Sequence, residues 1–285
     1  MLVIGALVLV VLVVMVALTV DVGNAYAQRR MAQNAADAAA LAGARALALG
    51  EDPESPAEEY AVTRNGATGF ACEVQGSHMV VTVTKVFPTF FAPVFGVSEM
   101  TVTTVADAAY ESPGGWQGDL MPMTVHADAV VKGWSLYIWD DDKVPSEPGS
   151  GIVADGQRGW LNFNGGSVGA SEIVGWVTNG YDGEITFPMW INGSPGTKTT
   201  ALHAMQDTRL HTVVYVPIYN TTRSPGQAGN GQLDYRIVTV GAFYVEQVVD
   251  RGNPKYVKGR FLDYVASQYG GGTIDVGLRV VSLKR

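Results

Sequence analysis

The side chains best suited to chemistry are spread thinly along this chain. Its four histidines, His78, His126, His203 and His211, are of the type that serves as base or metal ligand near neutral pH. None stands in an HExxH pattern or a close Cys/His spacing, and the nearest pair, His203 and His211, is eight residues apart. Surface or partly buried histidines account for them better than an active site does. Asp140, Asp141 and Asp142 in WDDDK form the densest carboxylate run, and hard cations such as calcium take oxygen ligands. Consecutive strand residues point to opposite faces, so only a loop lets the three converge; the EF-hand spacing is missing, and a solvated turn is the competing reading. Asn192 in Asn-Gly-Ser and Asn220 in Asn-Thr-Thr fit the glycosylation acceptor pattern and are expected on surface loops, with plain loop residues as the alternative. Trp160, Trp176 and Trp190 with Tyr181 suggest either a carbohydrate-binding surface or core filling, the commoner use of aromatics. No GxSxG elbow occurs, and GNGQ and NGGSVG lack the Lys-Ser/Thr of a phosphate loop. The single cysteine, Cys72, excludes an intrachain disulfide and a CxxC pair, and reads as a small core residue. No catalytic residue, bound metal or cofactor is expected.

The elements that would position such residues start from an extreme N-terminus. Residues 1–20, MLVIGALVLVVLVVMVALTV, contain no Asp, Glu, Lys, Arg or His. At about 1.5 Å per helical residue they match the ~30 Å hydrocarbon core of a bilayer. A secretory signal would carry a basic n-region and a shorter apolar stretch. The missing basic flank suggests that a processed leader or a short cytoplasmic tail precedes this numbering. Arg29 and Arg30 would by themselves place the following side in the cytoplasm; the exterior character of the rest of the chain argues for the opposite orientation. Net charge −8 and a pI near 5.0, with scattered Lys and Arg, offer no path for a phosphate backbone, and a nucleic-acid partner is not expected.

Nothing breaks the helical pattern after Val20. Gly50 supplies a C-terminal cap and Pro53 lies just beyond, so one rod is predicted to run to about Leu49. In its second half Ala32, Ala35, Ala36, Ala39, Ala40, Gly43 and Ala46 recur at spacings of three and four. Such a face lets helices approach closely. It predicts bundling with copies of the same helix, against the alternative of a stalk lying on its own domain. On the bundling reading, Ala39→Arg or Gly43→Leu should abolish assembly and leave the β-rich body folded. Asp21, at the end of the apolar run, either marks the membrane–water boundary or pairs with an Arg or a free N-terminal amine of a neighbouring helix.

VDVGNAYAQRRMAQNAADAAALAGARAL resembles the N-terminal signature of the Tad (Flp) pilus-assembly TadE/TadG-like family, through Asp21, Gly23, Tyr26, Arg29, Arg30, Gln33, Asn34 and Asp37. FPTFFAPVFGVSEMTVTTVADAAY (87–110) is similar to the strand-rich segment that follows that helix, and residues 159–185 and 213–220 more weakly to the exterior region. The resemblance implies a pilin-like role, export by Tad-type machinery, and processing of a short leader by a prepilin peptidase. There is one departure: Gly5 stands where pilins related to type IV systems usually carry an acidic residue. With the helix-packing residues Asp21, Gly23, Arg29, Arg30 and the small stripe, this leads to a homo-oligomeric helical filament, inserted in the cytoplasmic membrane before assembly and exposed at the cell surface afterwards. The alternative is a membrane-anchored pilus-machinery or adhesion protein that does not polymerise.

Beyond the rod, EDPESPAEEY reads as a hinge, with a short helix over 57–65. HMVVTVTKV and EMTVTTVADAAY alternate as half-buried strands do, and SPGGWQGD (112–119) is the best internal boundary. WSLYIW, TVVYVPIY, YRIVTVGAFYVEQVV, KGRFLDYV and DVGLRVVSL continue the strand pattern. The expectation is an α+β chain: a long hydrophobic helix over 1–50, a linker with a small strand-rich segment over 51–113, and a β-rich exterior domain over 114–285.

Overall fold

A computed structural model of the protein describes residues 2–131, 134–139, 150–151, 159–166, 168–224, 233–268 and 270–284. The chain divides into two compact units, Met1–Tyr110 with Val281–Arg285, and Glu111–Val280. It is α+β, a long apolar helix followed by β-rich structure.

The first unit is built on α1 (Leu2–Leu49), a single uninterrupted helix of 48 residues. It ends as Gly50 predicts. Gly50 takes φ +74°, its N–H bonds the Leu47 carbonyl at 3.1 Å, and the Glu51 N–H bonds the Ala46 carbonyl at 2.9 Å. This is the paired closure that satisfies the last carbonyls of a helix. The short helix expected over 57–65 is present but starts earlier, inside the segment expected as a hinge, as α2 (Glu54–Glu58) and a π-helical turn (Glu59–Arg64). Pro53 sits at the N-cap of α2, where the missing N–H costs nothing.

Three antiparallel strands follow: β1 (Gly69–Gln75), β2 (His78–Pro88) and β3 (Glu99–Pro113). On β2 the alternating Met79, Val81, Val83 and Phe87 are buried, and Met79, Val81 and Val83 point into one core with Ala106 and Ala108 of β3. The other side of that core is the alanine stripe of α1, closed at its end by Ala57 and Ala61. The Ala side chains are what let a sheet carrying Met and Val lie this close to a helix. At Gly43 even a Cβ would come within 2.7 Å of Met79 Cε and 3.1 Å of the Pro53 carbonyl oxygen.

The second unit contains β4 (Gly115–Gln117), β5 (Val125–His126), β6 (Ser135–Trp139), β7 (Ser150–Gly151), β8 (Leu161–Asn162), β9 (Glu184–Thr186), β10 (Met189–Gly193), β11 (Val213–Arg223), β12 (Asp234–Val249), β13 (Tyr256–Leu262), β14 (Tyr264–Ala266) and β15 (Gly270–Gly272). Its main sheet runs β5-β11-β12-β13-β6-β7. β12 pairs along one edge with β11; its other edge is shared between β10 and β13. Two helices that the strand-dominated reading did not include, α3 (Ala170–Asn179) and α4 (Thr199–Arg209), supply Ile173, Val177, Leu202 and Met205 to a core with Val214, Val216, Phe243 and Val245. Trp116, Leu120, Ile185, Val240 and Ala242 form a separate cluster. The last strand, β16 (Leu278–Lys284), carries the chain back to the first unit, where Val281 packs on the alanine core.

Candidate assembly and membrane surface

α1 presents two stripes. The inner one starts at Asp21 and passes through Asn24, Gln28, Ala32, Ala35, Ala36, Ala39 and Gly43, the steps of three and four that keep one helical face. From Ala32 onward this face is buried in its own unit, with Ala36, Ala39, Ala40 and Ala44 at zero exposure. The stripe predicted to meet copies of the helix is therefore already covered by β2 and β3 of the same chain. A run of small residues specifies only that something lies close; here the sheet does.

Polar residues on and beside the stripe tie it to β2, β3 and the turn between them. Gln33 Nε2 donates to the Val105 carbonyl at 3.2 Å and to Asp37 Oδ1 at 2.8 Å, and Asn24 Nδ2 donates to the Pro88 carbonyl at 3.3 Å. Asp21 makes the most concentrated contact. Its Oδ1 accepts from the Phe90 N–H at 2.7 Å, its Oδ2 accepts from the Phe91 N–H at 3.0 Å and from the Ala92 N–H at 2.7 Å. The side chain is 7% exposed. Three converging amides satisfy an ionised carboxylate, so of the two readings of Asp21 the pairing with a neighbouring helix gives way to a loop of the same chain, and the boundary reading stays open. That loop ends in a 3-10 turn, Ala92–Phe95, whose first amides are the orphans that any helical N-terminus leaves.

Ahead of Asp21 the helix is uncovered on all sides, with Leu7, Leu9, Leu12, Met15, Val16 and Leu18 exposed, and beyond it an outer stripe at Tyr26, Arg29, Arg30 and Met31 is uncovered too. An 18-residue stretch of the helix has mean hydropathy 2.5 and is 6% buried, so α1 is long and apolar enough to cross a membrane. Beside it the apolar loop leaves a groove of about 840 Å³, floored by Val14, Ala17 and Leu18 and walled by Phe91, Val94 and Phe95.

The other candidates stay apart. His78 Nδ1 lies 3.0 Å from Asp107, across β2 and β3. His126 Nε2 donates to the Asn220 carbonyl at 3.2 Å, and His211 holds φ +59° with its ring beside Tyr244. His203 Nδ1 bonds the Asp250 carboxylate, joining α4 to the end of β12. Among the described residues no three His, Cys, Asp or Glu side chains gather as metal ligands. Asp140, Asp141 and Asp142 lie outside the described residues. Asn192 and Asn220 stand in strands, β10 and β11, rather than on loops, and Asn192 Nδ2 donates to Asp234 Oδ1 at 2.7 Å. Trp160 is buried in the core, Trp176 and Tyr181 pack with Phe163, and Trp190 lies under the Arg223 guanidinium at 4.3 Å, so these aromatics do not make one surface.

The His203–Asp250 bond has a testable pH signature. The hydrogen bond from His203 outweighs burial and holds the Asp250 carboxyl below its ordinary value of 3.8. Because the folded value is the lower one, the stabilisation is complete above the unfolded value and is lost as pH falls through the folded one. Asp250→Asn removes that loss. The gap in melting temperature between about pH 6 and about pH 3 is expected to narrow by roughly 1–3 °C in the variant; an unchanged gap in scanning calorimetry would show that the bond does not contribute.

Both stripes of α1 lie in one stretch of sequence, and that stretch is where comparison with known proteins finds a relation. Residues 1–46 match the Tad family model, TadE/G-like Flp pilus assembly. No curated protein and no solved structure matches the chain. The match is confined to these N-terminal residues and supports a pilus-related, membrane-associated role; the Tad family itself is one of structural and assembly proteins. Within the Tad-matched residues, the signature positions divide between the stripes: Asp21, Gln33 and Asp37 bond inward or to one another, while Gly23, Tyr26, Arg29, Arg30 and Asn34 are exposed. Residue type alone did not reveal this division. The spacing of Asp21, Asn24 and Gln28 ahead of the alanines was the signal that could have.

Proposed function

We propose that this protein is a structural, pilin-like subunit of a Tad-type bacterial surface filament. The first half of α1 holds it in the cytoplasmic membrane before assembly and packs against copies of itself afterwards. The observation that carries the reading is the contrast within one helix: its second half is sealed on its own sheet, while Leu7, Val8, Leu9, the run Val11–Val16, Leu18 and Val20 are apolar and exposed. A naked apolar helix is stable in lipid or against other such helices, and not in water. The assembly surface on this account is the apolar first half with the outer stripe at Tyr26, Arg29 and Arg30, not the buried alanines. The Tad machinery is the expected export partner.

A second reading, an anchored pilus-machinery or adhesion protein that does not polymerise, is favoured by the alanine stripe being used up within the chain. Cross-linking in cells separates the two. In a Cys72→Ser background, a pair of cysteines replacing exposed Leu7 and Val16, on opposite faces of the helix, should give a ladder of oxidised multimers on surface material, while a pair replacing exposed Thr63 and Gln75 should not. Monomers and dimers alone from every such pair along the helix would favour the anchor.

A further inference from the structure

The loop between β2 and β3 has properties that its tie to Asp21 does not explain. From Phe87 to Val97 it reads FPTFFAPVFGV, without a charged residue. Its large side chains face outward: Val94 is 84% exposed, Phe95 76% and Phe90 65%. A water-facing turn between two strands is ordinarily built from Gly, Asn, Asp and Ser.

Most of its amides are also paired within the protein. Asp21 takes the amides of Phe90, Phe91 and Ala92. The Thr89 N–H bonds the Ser98 carbonyl at 3.0 Å, and the Thr89 hydroxyl donates to the Val97 carbonyl at 2.6 Å. The amides of Val94, Gly96 and Val97 bond carbonyls inside the loop at 3.0–3.2 Å, and Pro93 has no amide to satisfy. A loop in water has no need of this, because solvent satisfies its amides. In hydrocarbon, every backbone polar group has to be paired internally.

The position of the loop completes the argument. It descends from Asp21 alongside the helix, so that Phe91, Val94, Phe95 and Val97 share a groove with Val13, Val14 and Leu18. From Asp21 to Val13 is eight residues, about 12 Å along the helix. If the helix spans the bilayer, a loop held against that stretch lies at the same depth.

We infer that the loop Thr89–Val97 is a second membrane-embedded element, inserting Phe90, Val94 and Phe95 among the acyl chains of the leaflet that α1 leaves at Asp21. The occupant of its exposed face is lipid, because that face continues the lipid-facing surface of the helix without a polar break. Asp21 is the latch: it supplies the acceptors that let the loop enter with its first amides paired, and receives the donors that let a carboxylate sit at the edge of the hydrocarbon. The inference rests on the membrane reading of α1, so the experiment reports on both.

The full chain, with Cys72→Ser, is reconstituted in lipid nanodiscs carrying single cysteines labelled with an environment-sensitive fluorophore. The positions are Val16→Cys in the helix, Val94→Cys in the loop and Gln75→Cys at the far end of the β1–β2 hairpin. Val94 is almost fully exposed, so the label there need not disturb the fold. With spin-labelled acyl chains present, quenching is expected at Val16 and Val94 and not at Gln75. Quenching at Val16 without quenching at Val94, whether the loop label is in water or against protein, overturns the inference and leaves the anchor standing. An unquenched Val16 overturns the anchor reading, and the inference with it.

Discussion

Ala39→Arg is expected to unfold the first unit rather than to block assembly of a folded one. Ala39 has zero exposure, and its Cβ belongs to the core shared with Met79, Val81 and Val83. An arginine there buries a guanidinium among apolar groups, at a cost of several kcal/mol. That is a large share of the ~5–15 kcal/mol by which a domain is stable. Gly43→Leu should act in the same direction by overpacking, since a Cβ alone already meets Met79. All six tryptophans lie between residues 116 and 190, so their fluorescence reports the second unit alone. The expected pattern is native tryptophan emission with amide protection lost across β1, β2 and β3. If Ala39→Arg keeps that protection and loses only its filaments, the alanine face is an intermolecular surface, as its spacing first suggested.

The second large effect belongs to Asp21. Replacing it with alanine leaves three amides, those of Phe90, Phe91 and Ala92, without acceptors at once. The loop should detach from the helix. Losing hydrogen bonds to a charged acceptor translates into amide exchange at these three positions faster by about ten- to a hundredfold. The effect should stay local, because the alanine core does not involve the loop. Asp21→Asn keeps one acceptor oxygen and sets an amide donor against the N–H groups, so it should fall between wild type and Asp21→Ala. Unchanged exchange in both variants would mean that the loop is held by its apolar side chains alone.

These two residues show what was legible in the sequence and what was not. The end of α1 could be read residue by residue, because a cap depends on neighbours: Gly50 and Pro53 lie within a few positions of the carbonyls they terminate. The alternation of β2 and β3 was equally local. The partner of the alanine stripe was not, because small side chains report that a neighbour is close without saying which one, and a sheet and a second helix ask the same of them. Asp21 failed for a different reason. Its donors lie 69 to 71 residues away and are backbone amides, which leave no mark in the residue types.

In the second unit, α4 carried a readable signal in Ala201, Leu202 and Met205, three apolar positions on one helical face. It lies between the stronger strand patterns of β10 and β11. α3 was harder, since its 10 residues include Gly175 and several β-branched side chains that suit a strand as well. The return of Val281 to the first core could not be anticipated from a strand pattern that continues unchanged through Leu278–Lys284.

The central claim, that the exposed half of α1 becomes the interior of a polymer, is tested most directly by shearing cells and separating released filaments from membranes. Mass spectrometry then locates the chain. The account predicts that it is abundant in the filament fraction, with peptides from residues 2–22 resistant to protease there. Recovery of the chain from membranes alone, with the filaments free of it, would contradict the claim and leave the helix as an anchor.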